Sequence, residues 1–209
     1  MIKINKKLIP SKPFYVAVSG GVDSIAIAHL LYTLYDEKIS ICHFNHNLRP
    51  RNNVMQKAVE WFGEVFGIPV EVAVRNNRKI TGSIEDALRK DRLNFFKSLN
   101  SDVVLGHHLN DAVESHIAIN LINGKLNYKP IPEKTKFFDS ENAIYRPFLF
   151  NKKAKLLEYA ENNNLMRFVV EDETNQDNSY RRNWIRNVII PQFESLGLEK
   201  TVRKNFYTG

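Results

Sequence analysis

Apolar residues in this chain gather into short unbroken runs, separated by longer stretches in which they recur at helical spacing. Residues 14–18 (FYVAV) lie between Pro13 and Ser19-Gly20-Gly21, and a run this short without alternation predicts a strand buried on both faces. From Val22 to Tyr35 the spacing changes, with Ile25, Ala28, Leu31 and Leu34 on or near one face, which predicts a helix. "KISICHFNH" predicts a second strand, and Asn53 to Phe66 a helix stopped by Gly67 and Pro69. "IPVEVAV" predicts a third strand. Ser83 to Leu99 predicts a helix with Ser83 as its N-cap and Asp86 three residues on, a weak capping box. "SDVVLGHH" follows as a fourth strand, then a helix from Asn110 to about Ile122.

Four alternations of strand and helix predict an α/β fold, a doubly wound parallel sheet joined by right-handed crossovers. Residues 123–142 are polar, carry two prolines and read as a surface excursion. "AIYRPFLF" predicts a fifth strand and Lys152 to Asn162 a helix. Glu171 to Asn187 is dense in charge and amides before "VIIPQF" turns apolar again, so a short helical C-terminal segment is expected.

Composition narrows the class. Of 209 residues, 43% are hydrophobic and 25% charged, the mix of a soluble globular protein. The formal net charge of +7 favours a polyanionic partner without naming it. Cys42 is the only cysteine, which excludes an intramolecular disulfide, a Cys-x-x-Cys metal site and a cysteine pair for sulfur transfer. No apolar stretch approaches the ~18 residues a membrane helix needs. The basic start "MIKINKKLIPSKPF" lacks an apolar core and cleavage site, so no signal peptide is expected and the cytoplasm is the expected location.

The candidate chemistry begins at "VAVSGGVDS". A glycine-rich turn between a buried strand and a helix aims backbone N–H groups at an anion, and the hydroxyls of Ser19 and Ser24 add donors. Asp23 beside bound phosphates makes sense only with Mg²⁺ between them. The spacing is neither G-x-x-x-x-G-K-[ST] nor G-x-G-x-x-G, and a double glycine alone is equally compatible with a plain turn. "CHFNHNLRP" then sets His43, Asn45, His46 and Arg49 at the end of the second strand, where α/β sheets bind ligands. In "GHHLNDAVES", His107, Asp111 and Glu114 fall at steps of four and three, on one helix face, with His108 at its edge. "EDETNQDNSYRRNWIR" contributes Arg182, Asn183 and Arg186. Each group has a plainer reading: four of the six histidines as a zinc site, Asp111 and Glu114 as a solvated acidic face, and the two arginines as a basic surface paired with Glu171 and Asp172.

Ser-Gly-Gly-x-Asp-Ser after a first strand resembles the PP-loop of the ATP pyrophosphatases, which split ATP into AMP and pyrophosphate. The other stretches resemble the tRNA(Ile)-lysidine synthetase family, whose patterns read roughly H-x-N-H-x-L-R, G-H-H-x-D-D-Q-x-E-T and D-x-[ST]-N-x-D…Y-x-R-N-x-[IL]-R. The likeness runs from about Phe14 to Pro191 and takes in "GSIEDALRKDR", with Arg89 and Arg92. It implies a Rossmann-like PP-loop domain over residues 1–191 with a tail over 192–209, and no separate tRNA-binding domain.

The resemblance also implies a two-step reaction. The O2 of the wobble cytidine of tRNA(Ile) with a CAU anticodon attacks the α-phosphate of ATP; the ε-amine of free L-lysine then attacks C2 and expels AMP. It assigns Ser19, Gly20, Gly21, Val22, Asp23, Ser24, His46 and His107 to ATP, and Asp23 to Mg²⁺. Asp111, Glu114 and Arg89 fall to lysine, and Arg49, Arg182, Asn183 and Arg186 to tRNA. Asp23, Asp111, Glu114, Arg182 and Arg186 form the catalytic set. A homodimer would extend the basic surface. Three departures stand out: Asn110 for an aspartate, Ala112 for a glutamine and Ser115 for a threonine, while Asn52 replaces a serine. Another PP-loop enzyme adenylating tRNA or a small acid, or an impaired tRNA- or nucleotide-binding module, remains open at this stage.

Overall fold

The structure, a computed structural model, describes residues 1–76, 81–122, 131–171 and 176–196. Six strands form one sheet in the order β3-β2-β1-β4-β6-β5. They are β1 (Phe14–Ala17), β2 (Ile39–Asn45), β3 (Val70–Val74), β4 (Asp102–Leu105), β5 (Lys134–Lys136) and β6 (Ala143–Tyr145). The pairings β1–β2, β1–β4, β2–β3 and β4–β6 are parallel. β5 pairs antiparallel with β6 at the edge.

Because β1 has β2 on one side and β4 on the other, the chain reverses its winding there, and the crevice at that switch point is where open α/β sheets take ligands. Phe14, Val16 and Ile41 point to one face, packed under α1 (Val22–Tyr35), α2 (Pro50–Phe66) and α5 (Lys153–Asn162). Cys42, Val103 and Leu105 point to the other, under Phe95 and Phe96 of α3 (Ile84–Ser98). The expected continuous apolar runs follow from burial on both sides.

Four expectations change. α2 begins at Pro50, three residues before Asn53, because Pro50 occupies the first turn and Asn52 Oδ1 accepts from the backbone N–H groups of Leu48 and Arg49, both at 3.1 Å. The helix expected to run to about Ile122 is an α-helix only over Leu109–His116 (α4), then widens into a π-helical stretch, Ile117–Ile122. The excursion over 123–142 contains β5, whose three exposed residues carry no apolar signal; its first part, 123–130, lies outside the described residues. The fifth predicted strand shrinks to β6. Ser83 caps α3 as expected, its Oγ accepting from the Asp86 N–H. The C-terminal segment is helical through α6 (Arg181–Trp184), a π-helical stretch (Ile185–Ile189) and α7 (Ile190–Ser195); residues 197–209 lie outside the description. No helix among the described residues is long and apolar enough to cross a membrane.

Candidate active site

The turn from β1 to α1 is built without a side-chain cap. Gly21 holds the N-cap position, so the first-turn N–H groups of α1 keep the orphan donors of a helix start. Around them the serines interlock: Ser24 Oγ donates to the Gly21 carbonyl at 2.9 Å and accepts from Ser19 N–H at 3.1 Å. Gly20 has φ +94°, a conformation that favours glycine, and a Cβ there would press on Met55 Cβ of α2 at 3.3 Å. The Gly20 carbonyl accepts from Val170 N–H at 2.9 Å, tying the loop to the C-terminal segment. Opposite, Gly106 at the end of β4 lets that strand close on α1, since a Cβ would meet Ile27 Cδ1 at 3.1 Å. The expected fourth strand ran through Gly106, whereas β4 ends at Leu105 just before it.

These ends open into one cavity of about 930 Å³. Ser19, Gly21, Val22, Asp23, Ser24, His46, His107, Asp111, Arg182, Asn183 and Arg186 all line it, so segments far apart in the chain converge as expected. Arg89, Arg49, Gly20 and Glu114 are not among the lining residues. Arg89 is exposed on α3, while Arg92, one turn on, is in the wall. Arg49 is exposed at the N-cap of α2, and its Nη2 donates to Tyr180 Oη at 3.0 Å. Asn183 is buried and donates to the Asp177 carbonyl at 3.0 Å, bracing the segment before α6 from inside the fold.

The histidines are mostly neutral. His43 Nδ1 lies 2.7 Å from the Val18 carbonyl, which can only accept, so the ring proton is on Nδ1. Burial, then the Arg92 charge, pushes His46 down to about 4. His107 was expected on the face of the helix; it precedes α4, and the extended backbone of His108 starts that helix instead. Burial, with the Arg146, Arg182 and Arg92 charges, outweighs Asp111 and holds His107 down at about 3. His108 goes the other way. Burial opposes its proton, but Asp23, 3.4 Å from Nε2, and Asp111, 3.4 Å from Nδ1, raise it.

Asp111 and Glu114 are no solvated face: they are 8% and 1% exposed. Both are taken by arginines of the same chain rather than by an incoming cation. Glu114 accepts from Arg182 Nε at 2.7 Å, from Arg186 Nε at 2.7 Å and from Arg186 Nη2 at 2.9 Å. Arg182 Nη2 also donates to Asp111. Burial raises the Asp111 carboxyl, but the positive charges of His108 and Arg182 win and hold it below its ordinary value. The arginines thus answer α4, where Glu171 and Asp172 were the alternative partners; the Glu171 carbonyl instead accepts from Arg51 at 2.7 Å, and Asp172 lies outside the described residues.

Asp23 is the residue that fits a metal. Its Oδ1 is buried with no hydrogen-bond partner among the described residues, and Oδ2 lies 3.9 Å from Lys153 Nζ. A lone carboxylate oxygen beside a phosphate cradle suits Mg²⁺, which takes one or two carboxylates and completes its shell from phosphates and water. Among the described residues no group of three or more His, Cys, Asp or Glu side chains forms a metal cluster, which leaves the zinc reading without a ligand set. Lys153 and Arg146 were not singled out by sequence. Asn110 keeps an accepting role despite losing a charge: its Oδ1 takes the Lys153 N–H at 3.1 Å and so starts α5. Ala112 is 5% exposed, in a packed position.

A family model described as a PP-loop domain matches residues 2–193. The tRNA(Ile)-lysidine synthase of Exiguobacterium sibiricum is 33% identical over 195 residues, covering 90% of this chain and 45% of that protein. That of Thermotoga maritima is 34% identical, covering 87% and 45%, and that of Mycoplasmopsis pulmonis 34%, covering 84% and 61%. The chain therefore spans about half the length of the curated relatives it matches. Among solved structures, a U34-tRNA thiolase from Methanococcus maripaludis shares the fold with a TM-score of 0.69 at 15% identity, over 98% of this chain and 74% of that one. An NH3-dependent NAD synthetase from Campylobacter jejuni does so at 0.53 and 11%, over 96% and 86%.

Proposed function

This chain belongs to the PP-loop domain family, and we propose that it is the catalytic part of a ligase that uses ATP to join free L-lysine to C2 of the wobble cytidine of tRNA(Ile) with a CAU anticodon. The observation that carries this reading is the convergence of the Ser19–Ser24 loop, Asp111 and the Arg182–Arg186 pair on one cavity, with Glu114 buried behind them as the anchor of both arginines. An ATP-splitting loop alone would serve many adenylating enzymes; the acid and arginine set resembles the family patterns quoted above, with Asn110, Ala112 and Ser115 as departures.

In this reading the loop N–H groups and the Ser19 and Ser24 hydroxyls grip the β- and γ-phosphates, the leaving group of the first step. Mg²⁺ on Asp23, when bound, offsets charge on the departing pyrophosphate. Lys153, close to Asp23, adds a cation on the same side. The cytidine O2 attacks the α-phosphate in line, and the positive charge of Arg182 and Arg186 favours the oxyanion that develops there. Glu114 anchors both guanidinium groups. Asp111, which shares Arg182 with Glu114, is the acid that exchanges its partner for the lysine ammonium. Neutral His46 and His107 do not add positive charge against phosphate; they offer hydrogen bonds of fixed polarity.

The test is incubation with ATP, labelled lysine and unmodified tRNA(Ile) carrying the CAU anticodon, followed by nucleoside analysis. Lysidine, AMP and pyrophosphate in equal amounts are expected. Pyrophosphate without lysidine would point to another adenylation target, and neither product would leave a binding module.

A further inference from the structure

We propose that Arg146, just past β6, is a positioning residue that fixes the His107 ring as a hydrogen-bond donor toward the bound nucleotide. The proposal rests on the reading above that the cavity takes ATP. Arg146 Nε lies 3.1 Å from His107 Nδ1. A guanidinium has five donors and no acceptor, so Nδ1 must offer its lone pair and the single ring proton sits on Nε2. His107 lines the cavity. With Nδ1 turned to Arg146, the edge presented there is Nε2–H, a neutral donor suited to a phosphate oxygen.

The surroundings keep the ring neutral. Arg146, Arg182 and Arg92 face it from three elements, and Asp111 is the one acid in the group. Burial and the Arg89 and Arg92 charges lower Arg146 itself to about 10, which leaves it charged at neutral pH. His107 is thereby excluded as the base that frees the lysine amine: its one basic nitrogen is occupied by a cation.

Arg146 is held in turn. Its Nη1 donates to the Pro132 carbonyl at 2.8 Å and to Thr135 Oγ1 at 2.9 Å, and its backbone N–H to the Glu133 carbonyl at 2.8 Å. Arg146 is 6% exposed. The short antiparallel edge formed by β5 thus acts as a bracket, passing its position through Arg146 to the imidazole. This gives a purpose to a strand that carries no apolar pattern.

The experiment reads the tautomer directly, by long-range ¹H–¹⁵N correlation of the histidine rings between pH 5.5 and 8, alongside kcat/KM for ATP. Wild type should show His107 as the neutral Nε2–H form across that range. Arg146→Met should give mixed tautomers, a His107 ionisation moved up toward 6.5, and a fall in kcat/KM of about ten- to a hundredfold, the usual loss when an outer partner of a functional histidine is removed. Arg146→Lys, which keeps a charged donor, should recover most of both. Thr135→Val removes one bond of the bracket but leaves the Nε–Nδ1 contact, so it should shift tautomer and kcat/KM in the same direction as Arg146→Met but to a smaller extent; no change in either would remove the bracket role of β5. A wild-type ring protonated at Nδ1, or an Arg146→Met enzyme with unchanged tautomer and turnover, overturns the proposal. Wild-type protein that binds no ATP with Mg²⁺ yet shows the Nε2–H ring would overturn the nucleotide reading, and the donor's target with it, while leaving the Arg146 contact standing.

Discussion

Replacing Glu114 with alanine removes the acceptor of three hydrogen bonds from two guanidinium groups at a site 1% exposed. Breaking a fully buried ion pair costs about 3–5 kcal/mol, because a charge is left without a partner. Here the partners reach solvent, Arg182 with 49% of its side chain exposed and Arg186 with 28%. Water can therefore screen them, and Arg182 keeps Asp111, so the cost falls to about 2–3 kcal/mol. For a chain of this size each kcal/mol lowers Tm by about 2–4 °C, which gives a fall of roughly 4–12 °C on thermal melting followed by circular dichroism. A double-mutant cycle with Arg186→Met isolates the pair, and a coupling of about 1 kcal/mol or more is expected for groups in direct contact. Because Glu114 sets both arginines, kcat/KM should fall for ATP and for lysine together. A Glu114→Ala protein melting within a degree of wild type, with strictly additive effects in the cycle, would refute the account of this cluster.

Asp23→Ala should abolish pyrophosphate release and its Mg²⁺ dependence, and should also lower Tm modestly by taking a carboxylate from buried His108; normal turnover would remove the metal role. Gly20→Ala forces an L-residue to φ +94° against Met55, which should cost about 1–3 kcal/mol and weaken ATP binding measured by calorimetry. His46 and His107 bind protons later in the folded protein, near 4 and 3, than at the ordinary 6.5, so the unfolded chain charges first. Their stability contribution is full above about 6.5 and is lost as pH falls toward 4, and His107→Gln should flatten that slope in denaturant titrations.

Much of the frame was legible because β1, β2 and β4 are largely buried, and such strands announce themselves as apolar runs between glycines and prolines, while β3, half-buried at the sheet edge, still alternates apolar residues around Glu71. The loop was legible for a related reason: Gly20 takes a backbone conformation, φ +94°, that favours glycine. β5 was hidden because its residues are exposed, so nothing in their polarity distinguishes a short edge strand from a loop. The step of four between His107 and Asp111 suggested a shared helix face that a bend at His108 breaks. Most of all, the pairing of Asp111 and Glu114 with Arg182 and Arg186 could not be read from spacing, since it depends on how the last helices dock; sequence placed the acids before lysine and the arginines before tRNA. Arg146 and Lys153 escaped notice as ordinary members of a basic chain.

That docking also sets an order of assembly during synthesis. When the ribosome has delivered α4, the carboxylate of Glu114 has no counter-charge, and the cations that answer it are encoded 68 and 72 residues downstream. A nascent polypeptide can zip up its central sheet before then, but its reaction chamber stays electrostatically unfinished. The chamber is therefore completed late, once α6 and the arginines reach the open end of the sheet.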